Sequence, residues 1–382
     1  MHEILRRTNQ TLRSLGTGVL FGALCWVAPL AAQTSSSAAG FAYIGTLDKK
    51  LLVFDENKEE IVSEIPLEGI PRATVLTHDQ TKLVILTTQM AVETVDLAAR
   101  KMLSHFSLSD EKSRPRIPRA GGTGLAVDPT GRYLYATMRA SVRETDYYRI
   151  EPAQFVVIDL QSQRIAKAFP FPPEMDQGFG FAASYKVSPD GKLLYVFQED
   201  VLVFDLATFK QVDRIEMSQP EYAGASPYRL NPPDDPYNEG NVITSVFTTV
   251  DPIVHKGTIG LASLDLTTHK SSFTPIGRAL PTLGFLVSPD HTRGFSIMFS
   301  GVGGNRDTEW WVWDVVNRKV IKKVPFEARP TFKFGMSGDG KKLYLYGAGS
   351  TLEVFDAETL KSRKLIYLNK DTTTNLITLS AK

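Results

Sequence analysis

Residues 187–208 read VSPDGKLLYVFQEDVLVFDLAT, and this stretch decides the fold. Ser188-Pro189-Asp190-Gly191 is turn chemistry: proline presets φ, and glycine accepts the positive φ that a tight reversal needs. The runs from Leu193 to Phe197 and from Val201 to Phe204 are aliphatic and aromatic and of strand length. Asp205 closes the second run, and Thr208 follows three residues later. Both side chains can bond the backbone of the next hairpin.

The closing phrase occurs seven times along the chain. Its copies end at Asp55, Asp96, Asp159, Asp205, Asp265, Asp314 and Asp356, spaced 41, 63, 46, 60, 49 and 42 residues apart. The opening turn returns at Val127-Asp128-Pro129-Thr130-Gly131. Degenerate copies stand at Ser288-Pro289-Asp290-His291 and Ser337-Gly338-Asp339-Gly340. A strand-only period of roughly 40–50 residues marks a β-propeller with one repeat per blade. Each blade reads as an inner strand ending at the Pro-Asp-Gly turn, a second strand, a third ending at the anchor Asp, and an outer strand. The first anchor lacks an inner strand, whereas residues 375–379 form one strand too many after the seventh. The expectation is an all-β, seven-bladed β-propeller over residues 41–382, closed by the C-terminal strand pairing into the first blade. Eight blades, or a different all-β fold, are the alternatives.

Residues 187–208 resemble the bacterial YVTN-type propeller repeat, an inner strand, S-P-D-G, a Leu-Tyr-Val strand, then Val-Ile-Asp-x-x-Thr. The resemblance runs from about Phe41 to Lys382 and is most degenerate over residues 231–247. It speaks for architecture and is almost silent on activity. The chain is also similar to the propeller subunits of periplasmic amine dehydrogenases. That resemblance implies a subunit that scaffolds a quinone-bearing partner without doing chemistry itself.

Residues 1–32 read as a secretory signal peptide: Arg6, Arg7 and Arg13, then an apolar run from Leu15 to Ala28, then Leu30-Ala31-Ala32 as a cleavage site. An uncleaved anchor is the rival reading. Residues 33–40 form a Ser/Ala-rich leader. The expected location is therefore periplasmic or secreted. The single cysteine, Cys25, lies inside the signal. A mature chain without cysteine excludes disulfides, thiolate metal sites, covalent haem attachment and cysteine nucleophiles. Forty-three basic against 42 acidic residues leave no polyelectrolyte character, so general nucleic-acid binding lacks support. No later apolar run reaches membrane-spanning length.

The Asp-bearing turns fall on one face of the disc. Longer connections fall on the other: residues 107–124, 137–154, 170–183, 217–241, 249–257 and 300–309. Long connections in a compact domain tend to carry function. Arginines recur where the chain enters an inner strand: Arg72, Arg119, Arg229, Arg278 and Arg329. Converging guanidiniums at the channel mouth would attract a carboxylate or phosphate. Arg114, Arg116, Arg139, Arg143 and Arg149 lie on neighbouring connections and could add to that field. The plainer reading is solvated arginines paired with carboxylates such as Glu68, Glu174, Asp176 and Glu327.

Asp234, Asp235, Asn238 and Glu239 offer oxygens to calcium, but the order of a recognised calcium loop is missing, so turn formers are the simpler reading. Tyr147, Tyr148, Tyr222, Tyr228 and Tyr237 suit a sugar or protein contact, or merely cover the blades. His255 would serve as a general base only with Asp251 or another carboxylate beside it. Gly301-Val302-Gly303-Gly304-Asn305 has no Lys-Ser/Thr after it, so a phosphate loop is not supported. Trp311 and Trp313 should share a sheet face and pack between blades.

These readings converge on an exported propeller that recognises a protein partner or an anionic ligand. No catalytic residue, cofactor or metal is expected. A non-catalytic amine-dehydrogenase-like subunit and a lactonase-type hydrolase are the alternatives.

Overall fold

A computed structural model describes residues 40–117, 124–172, 184–198, 200–217, 229–230, 240–251, 253–302, 305–327, 332–347 and 349–379. It is built from strands grouped into seven blades. Blade 1 holds β1 (Phe41–Thr46), β2 (Lys50–Asp55) and β3 (Glu60–Pro66). Blade 2 holds β4 (Pro71–Leu76), β5 (Lys82–Thr87), β6 (Ala91–Asp96) and β7 (Lys101–Ser107). Blade 3 holds β8 (Ser113–Arg116), β9 (Leu125–Val127), β10 (Tyr133–Arg143), β11 (Tyr148–Ile150), β12 (Gln154–Asp159) and β13 (Arg164–Pro170). Blade 4 holds β14 (Ser184–Val187), β15 (Leu193–Phe197), β16 (Val201–Asp205) and β17 (Gln211–Ile215). Blade 5 holds β18 (Arg229–Leu230), β19 (Val242–Asp251), β20 (Lys256–Asp265) and β21 (Lys270–Arg278). Blade 6 holds β22 (Thr282–Val287), β23 (Arg293–Val302), β24 (Asn305–Asp314) and β25 (Lys319–Phe326). Blade 7 holds β26 (Phe332–Met336), β27 (Lys342–Gly347), β28 (Thr351–Asp356) and β29 (Ser362–Tyr367).

The leftover strand β30 (Ile377–Thr378) pairs antiparallel with β1, giving blade 1 the order β3-β2-β1-β30. The seventh blade therefore meets the first through residues drawn from both regions of the chain, and β1 has no open edge. Gly45 N–H donates to Thr374 Oγ1 at 2.9 Å beside this seam.

All seven anchor aspartates end a third strand. In each, Oδ1 accepts backbone N–H groups two or three residues on, as from Asn57 and Lys58 to Asp55 and from Thr267 and Thr268 to Asp265. The residue four places after every anchor then adopts a positive φ between 52° and 62°: Glu59, Arg100, Gln163, Phe209, His269, Arg318 and Leu360. The anchor is thus a side-chain cap on a tight reversal. The Ser-Pro-Asp-Gly turns work alike: Ser188 Oγ accepts the N–H of Leu193 at 2.9 Å, and Gly191 takes φ +70°.

The core lies between blades rather than within one sheet. Tyr43, Leu51 and Val53 of blade 1 pack on Leu83, Ile85 and Val95 of blade 2, all essentially fully buried. Trp311 and Trp313 share a face toward Val246, Ile259 and Leu261 of blade 5, whereas Trp310 faces blade 7. Tyrosines of second strands latch blade to blade. Tyr43 Oη donates to the Leu97 carbonyl, and Tyr195 Oη donates to the Leu266 carbonyl at 2.7 Å. Both acceptors directly follow an anchor aspartate. Among the described residues, no helix is long and apolar enough to cross a membrane.

Candidate functional site

The two faces of the disc differ in how far strands project from them. On the anchor face the fully described connections are short capped turns, and the blade 5 connection between β18 and β19, residues 231–241, lies mostly outside the described residues. On the opposite face, among the described residues, three blades extend outward, because β10, β19, β20, β23 and β24 run for ten or eleven residues where second and third strands elsewhere run for five or six. Segments 137–154, 249–257 and 300–309, expected as irregular connections, are therefore largely strand. The β19–β20 reversal repeats the anchor device: Asp251 Oδ1 accepts the N–H groups of Ile253 and Val254, and His255 takes φ +51°. The Asp251 carboxylate is engaged by the turn backbone. His255 has no hydrogen bond or ion pair to it and is exposed.

Among the described residues, blade 3 carries the largest elaboration, with six strands. The first half of β10 pairs with β9 on its inner side and β12 on its outer side. Its second half pairs with β8 in the β9 column and with β11 in the β12 column. A small three-stranded sheet, β8-β10-β11, thus stands on top of the blade, with β8 directly above the inner strand.

Register fixes which side chains share each face of this projection. Arg116 lies opposite Arg139, Arg114 opposite Ser141, and Arg143 opposite Tyr148. Since paired residues point the same way and alternate residues share a face, Arg114, Arg116, Arg139, Ser141, Arg143, Tyr148 and Ile150 form one surface. Lower in β10 that parity belongs to Tyr133 and Tyr135, which pack toward blade 4. The other parity holds Ser113, Pro115, Ala140, Val142 and Arg149. It continues Leu134, Ala136 and Met138, which pack against blade 2, and Pro115 and Ile117 are buried there.

The two faces also differ in how their charge is met. Arg149, on the blade 2 side, is neutralised by Glu144 at 3.1 Å and by Glu151. Its guanidinium pKa is raised, first by the Glu144 hydrogen bond. Arg114, Arg116 and Arg143, on the blade 4 side, are exposed and have no side-chain hydrogen bond or ion pair among the described residues. Arg139 is half-buried beside them, directly across from Arg116. Like charges placed opposite each other on a sheet are destabilising. Tyr148 and Ile150 are 52% and 58% exposed on the same surface.

The structure separates two of the five connection arginines. Arg72 stands at the head of the inner strand β4, and its Nη1 donates to the Ile117 carbonyl at 2.8 Å, just behind β8. Arg278 ends β21, the outermost strand of blade 5, at the other radial extreme. There it borders an open rim groove of roughly 630 Å³ shared with Trp311, Lys319, Lys322 and Lys323, where the Lys323 ammonium lies 3.8 Å from the Trp311 ring centre. Arg119, Arg329, Glu174 and Asp176 lie outside the described residues, as do Asp234, Asp235, Asn238 and Glu239 of the calcium candidate and Tyr222, Tyr228 and Tyr237. Only the backbone of Arg229 is described. The signal segment 1–32 and residues 33–39 of the leader lie outside as well. Among the described residues, no group of three or more His, Cys, Asp or Glu side chains is placed to hold a metal ion.

Arg114, Arg116, Arg139 and Arg143, expected on connections, thus stand on paired strands. The alternation Arg139-x-Ser141-x-Arg143 is the sequence signal for this, since it has the period of a strand with one polar face.

No family model matches this chain, and no curated protein matches it. Among solved structures, it is similar to a functionally unknown protein from Desulfotomaculum acetoxidans, with a TM-score of 0.56 and 11% identity over 90% of this chain and 100% of that one. It is also similar to the dihydro-heme d1 dehydrogenase NirN in complex with DHE, with a TM-score of 0.50 and 16% identity over 88% of this chain and 75% of that one. Identities this low carry the propeller fold and nothing about activity.

Proposed function

We propose that this chain is an exported, non-catalytic binding or scaffolding propeller of the YVTN repeat type. In this reading it engages an anionic ligand or a protein partner on the face opposite the anchor turns. One observation carries the reading. Blade 3 is extended on that face by a sheet whose exposed side gathers Arg114, Arg116 and Arg143 with no partner among the described residues. Folding alone supplies no reason to collect like charges on one side while pairing the single arginine on the other. Arg72, held at the head of β4, lies beside this sheet, and Arg119, Arg229, Arg278 and Arg329 enter as further candidate contributors to the field. The reading favours binding over turnover because the Asp251 carboxylate, the partner a His255 base would need, is engaged by its own turn.

The test is a thermal-shift titration at low ionic strength with phosphate, dicarboxylates and uronic acids. A ligand at a hundred times its dissociation constant stabilises a fold by about 2.7 kcal/mol. A shift that is removed by Arg72→Ala or by Arg114→Ala with Arg116→Ala, in a protein that still melts cooperatively, is the expected result. A shift that survives all three substitutions would count against this face.

A further inference from the structure

The projection offers a surface of defined chemistry, and we infer that the blade 4 side of β8-β10-β11 docks an extended acidic segment of a partner protein. The inference rests on the binding role proposed above and names the partner's class. Three features of the geometry point to it.

The first is spacing. Arg114 and Arg116 alternate along β8, and Arg139 and Arg143 flank Ser141 on β10. Alternate residues of a strand lie about 6.6 Å apart, which is also the separation of alternate side chains in an extended peptide. Carboxylates at every second position of a ligand strand would meet successive guanidiniums, whose planar forks take a carboxylate in two parallel bonds.

The second is the neighbouring column. Tyr148 and Ile150 stand on β11 beside Arg143, exposed and on the same side as the arginines. An exposed tyrosine and isoleucine beside arginines form the mixture that carries energy at protein interfaces. A sulfated or uronic glycan could use the cations, but it would draw little from an isoleucine.

The third is the state of the edge. Arg143 N–H donates to the Lys112 carbonyl at 2.8 Å, which makes the pairs 141–114 and 139–116 the hydrogen-bonded ones in the alternating antiparallel ladder. Pro115 therefore occupies the outward position on β8, where its missing N–H withholds a donor from any added strand. The edge is blunted and the face is open, so a partner docks by side chains rather than by extending the sheet.

The experiment uses the full chain and a fluorescein-labelled twelve-residue peptide alternating Glu with Leu and Val, read by anisotropy. The comparison probes are its Glu→Gln analogue, a heparin-derived oligosaccharide and inorganic phosphate. The expected result is saturable binding of the acidic peptide, weakened about tenfold or more by Arg114→Ser with Arg116→Ser. Tyr148→Ser should weaken it severalfold. Arg149→Ser, on the already paired face, should change it less than about twofold. Each variant's melting temperature is checked first. Should the double serine variant fail to fold, Arg114→Lys with Arg116→Lys keeps the charge and removes the fork, and the same loss is expected. Equal loss in Arg149→Ser would overturn the inference. So would binding of the oligosaccharide but not the peptide, or peptide binding indifferent to the β8 arginines. If phosphate shifts the melt through Arg72 while the peptide does not bind, the inference falls and the broader binding role stands. If no anion of either kind binds, the inference falls together with the anionic-ligand half of the proposed function.

Discussion

Gly338 occupies the place that Pro129, Pro189 and Pro289 hold in the other copies of the turn, and its surroundings account for the change. Its N–H donates to the Glu56 carboxylate at 3.1 Å, a bond proline could not make. A Cβ there would fall 2.0 Å from the Leu379 carbonyl oxygen. Gly338→Pro should therefore destabilise the protein by about 3 kcal/mol or more, measured by denaturant unfolding. Glu56 itself is the polar exception at its repeat position, which elsewhere holds Leu97, Leu160, Leu206, Leu266, Val315 and Ala357. It is buried, accepts the Tyr344 hydroxyl at 3.0 Å, and its pKa is pushed up to about 7, chiefly by burial. A carboxyl that holds its proton more tightly when folded stabilises fully below its unfolded pKa, and that contribution is lost as pH rises through about 7. Glu56→Gln should flatten this part of the stability profile. The difference between wild type and variant should change by on the order of 2 kcal/mol between mildly acid and mildly alkaline pH. A constant difference across that window would remove Glu56 as the cause. The left-handed residues after the anchors make a separate prediction. Gln163 is exposed at φ +57°, a conformation that strains a side chain by about 1 kcal/mol and suits glycine. Gln163→Gly should leave the melting temperature unchanged or slightly higher, whereas glycine in an ordinary strand interior would lower it.

β10 is one strand performing two tasks, and its halves should differ in stability. Residues 133–138 are flanked by β9 and β12 and are mostly buried, whereas residues 139–143 are flanked only by the short strands β8 and β11. Hydrogen exchange read by mass spectrometry should find the upper half exchanging roughly tenfold faster or more, because few apolar contacts hold it shut. Uniform protection along β10 would mean that the projection belongs to the blade's cooperative unit. This division also shows what the sequence made legible. The anchors and turns were readable because capping chemistry is local: Asp, a hydroxyl three residues on, and Pro before Asp-Gly each act within a few residues. The projection was not, since β8 and β11 are three or four residues long and are defined only by pairing with β10 from either side. Arginine and serine also read as loop residues when counted by type. The rim position of Arg278 was equally hidden, because the residue before an inner strand and the last residue of an outer strand are close in sequence but far apart in radius. Asp251 and His255 carried the anchor signature on the opposite face, but Ile253 and Val254 did not resemble turn residues.

The ring as a whole is held shut by a strand of only two residues. β30 pairs through two residues, supported by Leu376 and Leu379 in the cores on either side of blade 1 and by the Leu376 N–H donating to Tyr346 Oη at 2.8 Å. Deleting residues 375–382 should remove this pairing, uncover the edge of β1, and lower the melting temperature markedly. It should also produce concentration-dependent association, visible by light scattering, because an unpaired edge recruits another strand. A truncated protein that stays monomeric and melts as before would show that blade 7 alone holds blade 1. The seam also imposes an order of events in time. Blades 2 and 4 to 7 each take all four strands from one contiguous stretch, so each is complete as soon as that stretch has been synthesised. Blade 1 begins first and finishes last: Gly45 waits for Thr374, 329 residues downstream. Pairing across so long a loop is slow, and the partly built disc carries an open edge until it is made. The first strand of the propeller is therefore the one that stays exposed longest while the chain is being made.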